Sequence, residues 1–452
     1  MKSDLVKVLH PLLGVPMLSY SIDLSLDRIK AQKTIVVVGY QADRIKEIFK
    51  DPRIHFAIQE EQLGTGHAVL QAIPLLQKFV GTVLILCGDV PLVKAETLHS
   101  FIDAFWQSET ILSVLTAVVE NPSGYGRIIR NPQGWLERIV EEKDASEKER
   151  LIREINTGIF CLKSSYLIDG LSKIGKVNAQ GEYYLTDLVQ IARERELRCS
   201  AYRVADPMEV MGINTRVDLA TSHEVLRQEK LRDLMLSGVT VVDPKTTYVD
   251  RMVEVGRDTI LYPNCNLQGT TKIGERCIIE PNSKILDSEI GKEVTVRSNS
   301  VITESKVEDG ASIGPFSHLR PLSEVKSKAK IGNFVEVKKS VIGKGSKANH
   351  LSYIGDSILG EEVNIGAGTI TCNYDGFDKH QTVIGDRVFV GSNVELVAPV
   401  KVGDRSSIGA GTTVTKDVPE GALAISRVKQ KNIKGWSKKI ELRHKKNRKR
   451  KD

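Results

Sequence analysis

Several familiar signals are missing from this chain of 452 residues. No apolar run reaches transmembrane length and no basic-then-apolar leader with a cleavage site opens it, so the expectation is a soluble protein not exported by a standard signal. The six cysteines (Cys87, Cys161, Cys199, Cys265, Cys277, Cys372) contain no C-x-x-C pair. That argues against disulfides or a zinc site, and for reduced thiols in a cytoplasm. An excess of one charge is also absent over most of the length. The formal charge is +7, yet Lys438–Asp452 holds nine Lys/Arg against two acids and supplies all of it. The tail is read as a solvated end rather than a site for RNA or an anionic membrane, and no nucleic-acid partner is expected.

What is present is a beat of six. An aliphatic residue recurs at Ile273, Ile279 and Ile285, then at Ile290, Val296 and Ile302, then at Val307, Ile313, Leu319, Val325, Ile331 and Val337. It continues at Ile342, Ala348 and Ile354, at Leu359 and Ile365, and from Ile384 through Val390, Leu396, Val402 and Ile408 to Val414. Gly, Asp or Glu very often follows, and Asn364–Gly376 reads NIGAGTITCNYDG. Six fits neither a 3.6-residue helix nor a hairpin sheet. It fits a β-solenoid in which each short strand buries one aliphatic side chain and small residues turn the corner. The solenoid is expected from about residue 239 to Val418. Thr371–Thr382 breaks the step and predicts a loop leaving the coil.

The first half has another grammar. Apolar runs Thr34–Tyr40, Ile54–Gln59 and Thr82–Asp89 alternate with helix-like stretches Met17–Lys30, Ala42–Phe49, Gly66–Leu76 and Pro91–Trp106. Unpatterned strands alternating with helices predict a parallel sheet covered on both faces. Ile111–Glu120, Gly126–Arg130, Trp135–Glu142 and Ile155–Lys163 read as added strands. Thr215 and Asp218 have capping-box spacing and open a helix to about Ser237, stopped by Gly238, which reads as a linker between two bodies.

Candidate sites follow from position. Gln59-x-x-Gln62-Leu63-Gly64-Thr65-Gly66 ends a strand and opens a helix, where backbone amides favour phosphate; alone, such a turn is more often only a turn. Cys87-Gly88-Asp89 ends the most apolar strand, where open α/β sheets bind ligands and a carboxylate can hold Mg²⁺; alone, Asp89 would be read as a helix cap. Tyr125-Gly126-Arg127, Ile139-Val140-Glu141, Asn156-Thr157-Gly158 and Gly212-Ile213-Asn214 are each weak. In the second half, Lys344–Tyr353 puts His350 two places after an inward position, where a lone histidine is more often structural.

In their joint order these motifs resemble the sugar-nucleotide pyrophosphorylases. With the hexad half included, the entire chain resembles the bifunctional GlmU family. The resemblance implies an α/β, Rossmann-like uridyltransferase domain (1–216), a linker helix (217–237), a left-handed β-helix acetyltransferase domain (238–427) and a basic tail (428–452). It implies Mg²⁺ on Asp89 and Asn214, and UTP or UDP-N-acetylglucosamine on Gln59, Gly64, Thr65, Gly88, Gly126, Glu141 and Asn156. Lys7, in Ser3-Asp4-Leu5-Val6-Lys7, matches a lysine that meets phosphate. His350 matches the general base of acetyl transfer, a task that a neutral imidazole suits. Arg320 and Lys338 match residues that clamp the phosphate of glucosamine-1-phosphate, with Tyr353 and Asn364 as further sugar contacts. Asn373 and Tyr374 match acyl-donor contacts, and Ala367, Ser392, Ala410 and Arg427 match the acetyl-CoA groove. A homotrimer is implied, with the Thr371–Thr382 loop reaching a neighbouring subunit.

One departure stands out. The family opens with a strand and the loop L-A-A-G-x-G-T-R-M, then S-D-L-P-K; here Met1 coincides with the methionine ending that loop, and Val6 replaces the proline. Without that central strand, two unpaired edges are expected inside a core. A misplaced start codon is the favoured explanation; taken as written, uridylyl transfer is expected to be crippled. The function implied is acetylation of glucosamine-1-phosphate from acetyl-CoA, then Mg²⁺-dependent transfer of uridylyl from UTP to N-acetylglucosamine-1-phosphate. The alternatives are acetylation alone with a relic first domain, and a non-catalytic scaffold.

Overall fold

A computed structural model describes residues 1–448, so the end of the basic tail, residues 449–452, lies outside the described residues. The chain forms two compact units, Met1–Lys230 and Leu231–Asp452.

In the first unit the three apolar runs become strands β1 (Thr34–Val38), β2 (Ile54–Ile58) and β3 (Thr82–Ile85), alternating with helices at Met17–Asp23, Ala42–Ile48, Thr65–Leu70, Ile73–Leu76 and Ala95–Gln107. The added strands are β4 (Leu112–Val118), β5 (Arg127–Arg130), β6 (Leu136–Val140) and β7 (Glu154–Lys163). A further strand, β8 (Cys199–Arg203), pairs parallel with β4. The single parallel sheet expected from the sequence is divided. β1 pairs only with β2, in parallel, while β3 runs antiparallel to β7 in a six-stranded sheet. The cause is the ten-residue β7, whose length lets it take β3 and β4 as antiparallel partners.

The second edge of β1 and the second edge of β3 have no strand partner among the described residues. All of Thr34–Val38 and Thr82–Ile85 line one cavity of about 870 Å³, together with Ile22, Ile102 and Phe160. Both strands thus border one largely apolar space. Met1–Tyr20 does not fill it. That stretch forms a 3₁₀ turn at Lys7–Leu9, a short hairpin of Pro11–Leu12 with Val15–Pro16, and the start of a helix.

Helix Arg216–Leu236 begins with the expected capping box: Asp218 N–H donates to Thr215 Oγ1 at 3.1 Å, and Thr215 N–H to Asp218 Oδ2 at 2.7 Å. Its Leu226 belongs to a core of the first unit, while Leu231 and Leu234 belong to the core of the second.

In the second unit, strands of two to four residues stack into three parallel sheets of eleven, ten and nine strands. All twenty-three hexad aliphatics named above are buried, forming one continuous core. Two residues before most of them stands a buried Ser, Thr, Cys, Ala or Val. Its small size lets successive coils close, and at many of these positions its hydroxyl donates to a nearby carbonyl, as Ser317 Oγ does to Gly332 O at 2.5 Å. The arrangement is that of a parallel β-helix and is consistent with the left-handed hexapeptide type. The break in the hexad is a loop between strands Ile370–Cys372 and Thr382–Ile384.

Candidate active site

In the first unit, β-strand ends and the loops after them bring the expected residues into two groups. Lys7, on the 3₁₀ turn, ion-pairs with Asp89 and donates from Nζ to Asn214 Oδ1 at 3.0 Å. Met1's amino group meets Asn214 O at 3.2 Å. The Asp89 and Asn214 oxygens therefore converge on one point.

The second group lines the large cavity: Thr65, Gly88, Gly126, Glu141 and Asn156. Gly126 sits in tight quarters: a Cβ there would stand 3.2 Å from Ile139, 3.4 Å from Asn156 Cβ and 3.4 Å from Glu141 Oε2. Gly64 has φ +106° and a Cβ would lie 2.7 Å from Tyr183 O, so only glycine opens the following helix. Gln59 Nε2 donates to Gly64 O at 3.2 Å and fixes that turn. Burial pushes the Glu141 carboxyl up, against the Thr186 hydroxyl donated to it at 3.0 Å. Asp187, beside it, is pushed up to about 6 by burial and by the charges of Glu141 and Asp144. Burial, with Asp89 nearby, drives the Cys87 thiol up to about 12, which disfavours the thiolate.

In the second unit the sheet that carries Leu319 also carries Glu336–Lys338 and Tyr353–Gly355 on successive coils. Arg320 Nη1 donates to Glu336 Oε1 at 2.8 Å. Lys338 Nζ lies 3.9 Å and Lys339 Nζ 3.8 Å from the Asp356 carboxylate, which also accepts from Asn373 Nδ2 at 2.5 Å. Lys379, which the sequence reading passed over, comes from the protruding loop. The Lys338 ammonium beside it holds Lys379 below the usual lysine range. Two ammonium groups and the Asp356 carboxylate thus meet at this point of the sheet and loop. The signal for Lys379 was available, since it lies in the loop that also carries Asn373 and Tyr374.

His350 ends strand Lys347–His350 on the adjoining sheet, exposed, with Nδ1 2.9 Å from Asn333 Oδ1. Asn364 is on the next coil, in register with Lys347. Ala367, Ser392 and Ala410 each follow a glycine (Gly366, Gly391, Gly409) in successive coils, and a Cβ on Gly366 would come within 2.4 Å of Gly391. The coils touch there, leaving a narrow track of small residues. Arg427 Nη1 donates to Ala410 O at 3.1 Å, at the end of that track. Tyr374 is 61% exposed on the loop, whereas Asn373 is buried at its root and tied to Asp356.

Comparison with known proteins agrees with both halves. Residues 3–205 match the nucleotidyl transferase family, and residues 381–416 the bacterial transferase hexapeptide family. A relative from Geotalea uraniireducens, a bifunctional protein GlmU, is 50% identical over 437 residues, covering 96% of this chain and 95% of its own. The bifunctional GlmU of Geobacter metallireducens is 52% identical over 454 residues, with the same coverage. The chain belongs to the GlmU family. A member from a Geobacillus species, at 47% identity over 443 residues, covers 98% of this chain. The GlmU relatives match across both units.

A magnesium ion suits the first group of residues. No cluster of three or more His, Cys, Asp or Glu that could hold a metal occurs among the described residues. Mg²⁺ asks for less, because it keeps waters and takes one or two protein oxygens together with substrate phosphates. Asp89 and Asn214 offer two hard oxygens within reach of the same ammonium.

Proposed function

We propose that this GlmU-family enzyme makes UDP-N-acetylglucosamine by two transfers, one in each unit. The observation that carries the reading is the grouping around His350. An exposed imidazole stands on a rigid coil, with Arg320, Lys338 and Lys379 on the adjoining sheet and loop and the small-residue track on successive coils.

In the second unit, Arg320, Lys338 and Lys379 hold the phosphate of glucosamine-1-phosphate, with Tyr353 and Asn364 against the sugar. The pantetheine arm of acetyl-CoA lies beside Ala367, Ser392 and Ala410, with Tyr374 near the acyl end and Arg427 near the CoA phosphates. The sugar amine attacks the thioester carbonyl, a C–N bond forms, and His350 takes the amine proton. The tetrahedral intermediate collapses, the C–S bond breaks, and the CoA sulfur leaves with a proton.

In the first unit, N-acetylglucosamine-1-phosphate attacks the α-phosphorus of UTP and pyrophosphate leaves. Gln59, Gly64 and Thr65 present the helix start to the nucleotide. Gly88, Gly126, Glu141 and Asn156 surround the sugar side of the cavity, and Lys7 meets phosphate. Mg²⁺ on Asp89 and Asn214 would neutralise charge on the phosphates. Positioning and charge neutralisation then supply most of the catalysis.

Six free cysteines support a reducing, cytoplasmic setting, and no helix among the described residues is long and apolar enough to cross a membrane. The loop bearing Phe377, 91% exposed, supports a homotrimer in which that loop reaches a neighbouring copy. Assaying both reactions on one preparation tests the division of labour. His350→Ala is expected to lower acetyl transfer about 10²–10⁴-fold and leave pyrophosphate release from UTP unchanged. Full acetyl transfer by that variant would overturn the reading of the second unit.

A further inference from the structure

We infer that Asn333 is the positioning residue of acetyl transfer: its side-chain carbonyl fixes the His350 ring in the tautomer whose Nε2 carries the lone pair. The inference rests on His350 being the base. The tautomer matters because neutral imidazole has one N–H, and a base must face substrate with the other nitrogen. Asn333 Oδ1 stands 2.9 Å from His350 Nδ1. A carbonyl oxygen cannot donate, so Nδ1 holds the hydrogen and Nε2 is left as acceptor.

The coil geometry singles out this asparagine. Asn333 and His350 are direct partners in the ladder between strands Lys330–Asn333 and Lys347–His350. Counting two residues on from the Ile313–Ile331 and Ala348–Ile365 pairs puts Pro315 and Ala367 in the same column, below Asn333 and above His350. Neither has a side-chain group that can orient a ring. The backbone around the pair is also held: Leu351 N–H donates to Asn333 O at 3.0 Å, and Ser352 Oγ to His350 O at 2.8 Å. Phe334 (φ +58°) and Leu351 (φ +45°) turn the chain immediately after each partner, so both side chains stand at the same corner. Asn333 thus has a fixed platform, and its oxygen is the one protein partner of the ring among the hydrogen bonds of the described residues.

Three variants and two readouts test this. Asn333→Ala is expected to lower kcat for acetyl transfer about tenfold or more, the usual scale for an orienting partner, with KM for glucosamine-1-phosphate unchanged. Asn333→Asp supplies an acceptor that cannot donate. It is expected to recover most of kcat at alkaline pH and to move the acid limb of the pH profile upward by about one unit. In ¹⁵N spectra of the free enzyme labelled at histidine, the His350 signals identified with His350→Ala are expected to show protonated Nδ1, and to become a tautomer mixture in Asn333→Ala. Unchanged kcat and unchanged signals in Asn333→Ala would overturn the proposal, as would Asn333→Asp behaving like Asn333→Ala. Failure of the base assignment looks different: His350→Ala would then keep its turnover whatever Asn333 does.

Discussion

The two units solve the same problem, satisfying parallel strands, with opposite degrees of completeness. In the solenoid each coil takes its backbone partners from the coil below and offers its own to the coil above, through three stacks of nine to eleven strands. Only the ends are edges. In the first unit β1 and β3 each lack one partner among the described residues, and the space between them is a cavity of about 870 Å³. A repeat satisfies itself locally, whereas a doubly wound sheet depends on a central strand that neighbours cannot replace. The comparison also separates the proposed chemistry: the residues proposed for acetyl transfer sit on closed ladders, those proposed for uridylyl transfer around an open one.

The largest expected effect follows from that separation. His350→Ala should cost acetyl transfer about 10²–10⁴-fold, the usual worth of a general base, and leave uridylyl transfer intact. Lys7→Ala should do the reverse, since Lys7 pairs with Asp89 in the other unit and is the lysine proposed to meet phosphate there. Parallel assays of thiol release from acetyl-CoA and pyrophosphate release from UTP check both. A variant that lowers both activities equally would erase the distinction.

Next comes the stability of the two sheets. Backbone amides of β1 and β3 border a cavity on one side, so they should open at lower free energy than solenoid amides such as Val296 or Ile313. Hydrogen exchange read by mass spectrometry should label Thr34–Val38 and Thr82–Ile85 well before the coils. In a urea series uridylyl transfer should be lost before acetyl transfer. Equal protection in the two units would mean that the open edges cost nothing.

Side-chain deletion sharpens the same contrast at smaller scale. Ile302 is fully buried among coils that stack above and below it, so Ile302→Ala should cost about 2–5 kcal/mol. Ile35 lines the cavity and already lacks neighbours on one side, so Ile35→Ala should cost under about 1.5 kcal/mol. Urea midpoints for each transition check the difference.

The same contrast explains what could be read from residues alone. Each hexad aliphatic had to be buried because a six-residue period leaves it no other place, and Ile273 through Val414 all are. The small buried partner two places earlier escaped notice because Ser, Thr, Ala and Val share size but no hydropathy. In the first half, run lengths and helix starts were legible, down to the Thr215–Asp218 box. Pairing was not. Nothing local tells Thr82–Ile85 that its partner is Phe160–Lys163, and helix Asp187–Glu194 and strand Cys199–Arg203 were missed because short amphipathic runs fit either element. Position alone singled out Gly64-Thr65, Asp89 and His350 as weak candidates, and the other candidate residues emerged only through resemblance; spacing alone could not bring Gly126, Glu141 and Asn156 to one wall, nor show that Lys379 meets Lys338.

The smallest effect is one of sign. Asp187, in the first unit, has its carboxyl pushed up to about 6 by burial and by Glu141 and Asp144. Between its ordinary value of 3.8 and about 6 the folded state keeps a proton that the unfolded chain has lost. Stability of that unit therefore falls as pH rises through the window and stays lower above it. Solvent screening of this half-exposed group limits the loss to on the order of 1 kcal/mol. Asp375, on the solenoid loop, runs the other way. Backbone N–H groups of Asp378 and Phe377, with the His380 ring between them in strength, hold its carboxyl below the usual range. Its contribution is present above the ordinary carboxylate value and is lost as pH falls below it. Urea midpoints at pH 4.5 and 7.5 should show the first unit stronger at the lower pH, with Asp187→Asn removing most of that difference and leaving the solenoid transition where it was. A first-unit midpoint that rises with pH in the unsubstituted protein would show that other carboxylates, paired like Asp375, outweigh the buried one.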